Sequence, residues 1–281
     1  MRKLLIALYL KIFGNKLSVK INFLNGIHFL LSKFAFRFKN LFFKTSDQSK
    51  QIVNKGYLVQ NHLNLKEAVN SISNQVIELF KNEDNLELTY EKSGLIHLKN
   101  SLLHFPELID LLNSKEVRNI ICGFLGSDFQ IFSSNIYRTT KSITKENTFS
   151  SLYYHFDSMP SSHLKVMIYL HDTDEKKGAL KVVNRRKSIE LREKGFWKRK
   201  SNEFHKTIID NTEVLDGKEG AFIYFYPHDT IHKATLPEIG NRDIVNFVLI
   251  PTFKSNRGLG EERRQFLSNN LDGYCINPFV F

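Results

Sequence analysis

From Asp128 onward the chain is a succession of short segments rich in Val, Ile, Phe and Tyr, each closed by turn residues, and this texture constrains the fold more than any other feature. Phe129-Gln130-Ile131-Phe132 and Asn135-Ile136-Tyr137 read as strands, as do Leu164–Leu170, Gly178–Val183, Ala221–Phe225 and Ile244–Ile250. Asp172–Lys177, Asp216-Gly217 and Pro237–Asn241 supply turns between them. β-branched and aromatic residues suit a pleated, half-buried surface. Several such runs, punctuated this way, predict a β-sandwich or jelly roll.

The region before Asp128 has a different period. Val69, Ile72, Val76, Ile77 and Phe80 recur at helical spacing, which predicts an amphipathic helix over Lys66–Asn82. His104–Gly126 reads as two helices, with Pro106 at a first-turn position and Gly123 and Gly126 marking the end. Thr45–Lys55 is polar and charged and reads as a linker. Arg185–Asn211 is a charged insertion carrying Arg185-Arg186-Lys187 and Lys198-Arg199-Lys200, expected to hold a short helix over one end of the sandwich. The chain thus divides into a basic N-terminal segment and linker, 1–55, and a mainly β domain with a helical N-terminal part, 56–281.

Charge separates the same two parts. Residues 1–44 carry nine Lys or Arg and no Asp or Glu, against a net charge of +11 for all 281 residues. Leu, Ile and Phe are interleaved with those cations, as in Phe34-Ala35-Phe36-Arg37-Phe38. The longest uncharged run, Ile21–Ser32, is shorter than the roughly 20 apolar residues of a spanning helix. The segment therefore reads as helices packed on the domain, or as a peripheral contact with an anionic membrane surface. Nucleic acid is not expected as a partner, because no recognition motif accompanies the charge. Cys122 and Cys275 make no disulfide framework, which suits a reducing, cytoplasmic setting. Nothing in the sequence speaks to oligomeric state.

The chemistry gathers around Tyr154-His155-Phe156-Asp157. Alternate residues of an extended segment point to one side, so His155 and Asp157 can bind one metal ion together. On its own a His-x-Asp pair is a weak signal. A third ligand from another histidine would complete a two-histidine, one-carboxylate face with open positions for further ligands. His228 and His232 both follow the strand Ala221–Phe225, and Arg242 opens the strand Ile244–Ile250. A histidine near the end of one strand and an arginine on its hairpin partner reach the same cavity. There the guanidinium can take a carboxylate in bidentate fashion. Lys165 and Tyr137 fall on strands near the metal segment and are candidates to line the cavity, and Asn135 is a candidate hydrogen-bond partner for a co-substrate. His163, His171 and His205 read as surface or internally satisfied histidines. No Ser-His-Asp order, phosphate loop or dinucleotide glycine pattern is present.

Taken in order, these residues resemble the phytanoyl-CoA dioxygenase family of iron(II)- and 2-oxoglutarate-dependent oxygenases. The resemblance spans about 105–251, from His104-Phe105-Pro106-Glu107-Leu108 to Ile250-Pro251. Leu170-His171-Asp172-Thr173-Asp174-Glu175-Lys176-Lys177-Gly178-Ala179-Leu180-Lys181-Val182-Val183 is similar to the family's strand–turn–strand after the first ligand pair. His232-Lys233-Ala234, Pro237 and Arg242 are similar to its second-histidine and co-substrate-arginine segment, in which the arginine follows the histidine by ten residues. That spacing selects His232 over His228. Where the family commonly has Pro-Gly-Ser-His, this chain has Asn184-Arg185-Arg186-Lys187-Ser188.

The resemblance implies a double-stranded β-helix, a form of jelly roll, with flanking N-terminal helices. It implies Fe(II) held by His155, Asp157 and His232, with 2-oxoglutarate as co-substrate, its distal carboxylate on Arg242, and O2 as second co-substrate. The implied reaction hydroxylates a small organic or lipid-like substrate and yields succinate and CO2; the basic insertion favours an anionic substrate if it lies over the cavity mouth. The presence of Asp157 points away from related halogenating enzymes, which lack the carboxylate ligand. The competing expectation is a jelly-roll binding module without turnover, associated or not with a membrane surface.

Overall fold

The structure, a computed structural model, describes residues 27, 30–38, 44–81, 88–90, 95–99, 101–141, 150–157, 163–196 and 204–252. Most of segment 1–44 and the basic run at 198–200 therefore lie outside the described residues.

Seven strands form one antiparallel sheet in the order β1-β8-β5-β10-β4-β3-β2. They are β1 (Tyr57–Asn61), β2 (Leu88–Tyr90), β3 (Leu95–Lys99), β4 (Asp128–Thr140), β5 (Leu164–Tyr169), β8 (Ala221–Phe225) and β10 (Asn241–Thr252). A smaller antiparallel sheet has the order β7-β6-β9, from β7 (Thr212–Leu215), β6 (Leu180–Val183) and β9 (His232–Lys233). A bridge between His155 and His232 adds the segment around His155 to its edge.

The period-2 pattern decides which residues face the space between the sheets. Leu164, Val166 and Ile168 of β5, Phe222 and Tyr224 of β8, and Val245, Phe247 and Leu249 of β10 point away from it. They pack on helices α1 (Asp47–Lys55), α2 (Lys66–Lys81), α4 (Leu108–Asn113) and α5 (Lys115–Leu125) through Ile52, Val69, Ile72, Leu112 and Ile121. A short turn of helix, α3 (Ser101–His104), precedes α4. Met167, Tyr169, Ile223, Phe225 and Ile244 point inward, onto Leu180, Val182 and Leu215 of the smaller sheet. A one-residue slip of β5 or β10 would exchange these faces, so the buried helices on one side fix the register of the cavity on the other.

The expected jelly roll is thus present, with local differences. The two expected strands before Arg138 are one strand, β4, paired along β10 with a register shift at Val248/Leu249. Gly123 lies inside α5, where a Cβ would collide with Ser49, and the helix ends at Gly126 (φ 63°). Residues 45–55, expected as a linker, include helix α1. Ser46 Oγ accepts the Ser49 N–H at 3.1 Å, Gly56 closes the helix at φ 91°, and Ile52 is fully buried. Its polar composition belongs to a solvated face around that one anchor, and the caps satisfy its end groups.

The charged insertion forms α6 (Arg185–Glu193) and α7 (His205–Asp210). Asn184, at the place of the family's Pro-Gly-Ser-His, accepts the Lys187 N–H at 3.0 Å and caps α6. Leu191, Phe196 and Ile208 pack on Val183 and Ile231, with Tyr154 and Phe156 against them. The described part of the insertion is therefore a buttress behind the residues flanking His155 and His232. Among the described residues no helix is long and apolar enough to cross a membrane.

Candidate metal centre

Two backbone hydrogen bonds, His155 N–H to His232 O and His232 N–H to His155 O, both 3.0 Å, lock the two histidines side by side. Their ring centroids are 4.3 Å apart. The Asp157 N–H donates to Pro227 O at 3.0 Å, so the carboxylate is carried by the same edge. Nδ1 of His155 lies 2.7 Å from Tyr153 O, and Nδ1 of His232 lies 2.9 Å from Thr230 O. A carbonyl only accepts, so each Nδ1 bears the hydrogen and each Nε2 presents a lone pair.

Those two Nε2 atoms stand 3.4 and 3.6 Å from Asp157 Oδ1. Each of the three residues offers one donor atom within 4.8 Å of the others. Donors bound to one ion at about 2.1 Å stand about 3.0–3.4 Å apart, depending on the angle between them. His155 and His232 are buried and Asp157 is nearly so. Three such donors converging in a buried place are an arrangement that a cation between them would stabilise. Metal ligands must be deprotonated, and the environments of His232 and Asp157 favour that state. Burial pushes His232 down to about 3. Burial is the largest single influence on Asp157 and would raise it, but the Lys165 ammonium together with the His155, His163 and His232 rings outweighs it and holds the carboxyl well below its usual range.

Lys165, on the inward face of β5, reaches Asp157 Oδ2 at 2.5 Å. His163 is buried, with Nε2 3.7 Å from the same oxygen, so of the two expectations for it, surface or internal, the internal one holds. Tertiary packing decided that, since a lone histidine before a strand carries no local signal of it. His171 is satisfied internally, accepting the Asp243 N–H on Nε2 at 2.9 Å. His228 is not among the converging donors. Its Nδ1 lies 3.3 Å from the Asp157 carbonyl and steadies that residue's backbone.

His155 and His232 line a cavity of about 330 Å³ that Tyr137, Lys165 and Arg242 also line, with Met167, Phe225 and Asn246. Asn135 sits opposite Asn246 in the β4–β10 register and is buried, but the cavity wall at that level is Asn246. No described residue of the insertion lines this cavity.

Arg242 is 4% exposed. One Nη donates to Gly178 O and the other to Thr139 Oγ1 at 3.1 Å, while Nε has no hydrogen-bond partner among the described residues. The neighbouring Asp243 carboxylate faces away and takes Arg138 in bidentate fashion at 2.8 and 2.7 Å. A guanidinium stays charged inside a protein, so Arg242 presents a buried cation to the cavity, with no carboxylate paired to it among the described residues. Gly178 could have been singled out from the sequence only as a turn glycine. Its φ of 83° and the backbone of Thr235 and Leu236 beside its α-carbon leave no room for a side chain, and its carbonyl anchors Arg242.

No protein-family model matches the sequence, and no curated protein matches it. Solved structures do match the fold. The α-ketoglutarate-dependent epimerase SnoN from nogalamycin biosynthesis is 16% identical, over 73% of this chain and 81% of that one, with a TM-score of 0.55. EctD from S. alaskensis, solved with bound Fe, is 14% identical over 74% and 77%, with a TM-score of 0.55. HygX from Streptomyces hygroscopicus, solved with nickel, 2-oxoglutarate and hygromycin B, is 14% identical over 75% and 89%, with a TM-score of 0.52. At such identities the likeness is one of architecture, and the site has to carry the function.

Proposed function

We propose that this chain is an Fe(II)- and 2-oxoglutarate-dependent oxygenase, of the branch its motif order resembles, the phytanoyl-CoA dioxygenases. The carrying observation is the meeting of two features in one cavity. His155, Asp157 and His232 converge as donors, and Arg242 faces the same space as a buried cation that no carboxylate pairs among the described residues. Two imidazoles and one carboxylate are the ligand set of non-haem Fe(II) oxygenases. A dicarboxylate keto acid is a ligand that supplies both metal donors and the missing anion. The reported bound groups of the solved neighbours, Fe and 2-oxoglutarate, support the same reading.

When bound, the metal would couple oxidative decarboxylation of 2-oxoglutarate to oxidation of a C–H bond, so that 2-oxoglutarate, O2 and R–H give succinate, CO2 and R–OH. The chain's own residues bind and orient. Tyr153 O and Thr230 O hold the two imidazole rings in the ligating tautomer. Arg242, fixed by Thr139 and Gly178, takes the distal carboxylate and sets the direction in which the co-substrate lies. Lys165 neutralises the outer oxygen of Asp157, which leaves Oδ1 as the ligand atom. Tyr137, Met167, Phe225 and Asn246 form a wall apolar enough to exclude water, with an amide and a phenol to orient a small organic or lipid-like substrate.

The close Lys165–Asp157 pair is the observation that favours the second reading, a binding module in which the ammonium takes the place of the metal. Uncoupled turnover separates the two. With Fe(II), ascorbate and O2, the oxygenase reading expects slow conversion of 2-oxoglutarate to succinate, abolished in His232→Ala and Asp157→Ala. A folded wild type that binds no iron and forms no succinate supports the binding module.

A further inference from the structure

Helical residues 30–38 carry a second apolar face. Leu30, Phe34 and Phe38, spaced four apart, are 68%, 72% and 75% exposed, and Leu31 is 50% exposed. Residues at that spacing share one side of a helix. The opposite side is already occupied, because Ser32 is buried and Phe36 joins the core together with α5. A surface helix with one buried stripe ordinarily turns polar residues outward. Here the outward side is Leu and Phe, flanked by Lys33 and Arg37. Grouped apolar exposure with a polar rim marks an interaction surface.

Charge selects what covers it. The surrounding segment 1–44 holds nine Lys or Arg and no acid, and the first carboxylate is Asp47. A second copy of this chain would bring the same positive charge to the contact. Anionic lipid headgroups bring the opposite charge, and the headgroup–acyl boundary accepts leucine and phenylalanine side chains. We infer that this helix docks on an anionic bilayer, with Leu30, Phe34 and Phe38 in the interface and Lys33 and Arg37 at headgroup level. The inference does not rest on the oxygenase reading. The two are nevertheless close in space. Lys33 lines a cavity of about 190 Å³ that His163 also lines, and His163 stands beside Asp157. Docking would set that side of the molecule against the lipid.

The test uses the full chain and vesicles of phosphatidylcholine, with and without phosphatidylglycerol, in a flotation assay. The wild type should float with the mixed vesicles, not with the neutral ones, and should be released by high salt. Leu30→Ser/Phe34→Ser/Phe38→Ser should keep the wild-type circular dichroism and Tm while losing partitioning by about tenfold per side chain. In a separate single variant, Phe34→Trp, emission should shift to the blue on mixed vesicles beyond any change from Trp197. A wild type that stays in the aqueous fraction overturns the inference, as does a triple variant that binds like the wild type. A Phe34→Trp probe that does not shift, or an effect of the triple variant confined to oligomeric state in sedimentation, overturns it too.

Discussion

Replacing Arg242 by methionine should have opposite consequences for the free protein and for its complex. In the free protein the change removes one hydrogen bond to Gly178 O and one to Thr139 Oγ1. Bonds from a charged donor contribute about 1.5–3 kcal/mol each. It also removes a buried guanidinium whose Nε is unpaired and which has no carboxylate partner among the described residues. The desolvation of such an ion costs several kcal/mol. The two effects nearly cancel, so the folding free energy should move by no more than about 2 kcal/mol in either direction. Binding is different. Loss of one partner of a buried, hydrogen-bonded charge pair costs about 2–5 kcal/mol, which is about a 30- to 4,000-fold weaker Kd. The assay is calorimetric titration of 2-oxoglutarate into Ni(II)-loaded protein, paired with urea unfolding of the metal-free protein. A 2-oxoglutarate affinity within threefold of wild type would refute the reasoning. So would a loss of stability well beyond about 3 kcal/mol, because Arg242 would then be a structural residue.

Other consequences follow from the same structure. Ile52→Ala should destabilise the protein by about 2–5 kcal/mol in urea unfolding, because Ile52 is the fully buried anchor of α1, whereas in a linker it would cost almost nothing. Gly178→Ala forces a left-handed residue to carry a side chain against the Thr235 carbonyl, so it should cost about 1–2 kcal/mol of stability and also weaken 2-oxoglutarate binding. Asp229 accepts Arg192 at 2.8 Å and Arg185 at 2.9 Å and thereby ties α6 to the loop that carries His232. Burial pushes the Asp229 carboxyl up, but the two guanidinium groups outweigh it and leave it lowered, so its contribution is present above the ordinary carboxylate pKa and fades as pH falls through the folded one. Asp229→Asn should accordingly cost about 1–3 kcal/mol at neutral pH, with the gap to wild type closing below about pH 4 in pH-dependent unfolding.

The legible parts of the molecule are those set by short-range pattern. Ala221–Phe225 and Leu164–Tyr169 announce themselves because both faces of a central strand are buried, and a continuous apolar run is the result. His155 and Asp157 were legible because two residues of one extended segment share a side whatever the rest of the chain does. β1 was not legible. Tyr57–Asn61 ends in polar residues at a sheet edge and becomes a strand through its pairing with β8. Helix α1 was missed because its anchors are one isoleucine and two caps. The place of Lys165 on the Asp157 carboxylate follows from the distance between β5 and the 155–157 edge, which no sequence spacing encodes. The same holds for His163. Asn135 and Asn246 lie opposite each other on neighbouring strands, and pattern alone does not choose which of them meets the cavity.

The central claim is that His155, Asp157, His232 and Arg242 form one site for a metal and a keto acid, and anaerobic absorption spectroscopy tests it most directly. Fe(II) and 2-oxoglutarate are added to the metal-free protein without oxygen, and the visible charge-transfer band of a chelated keto acid is followed. The account predicts a band in the wild type, none in Asp157→Ala, and in Arg242→Met a band that appears only at much higher 2-oxoglutarate. A folded wild type that binds no Fe(II) and shows no band would contradict it.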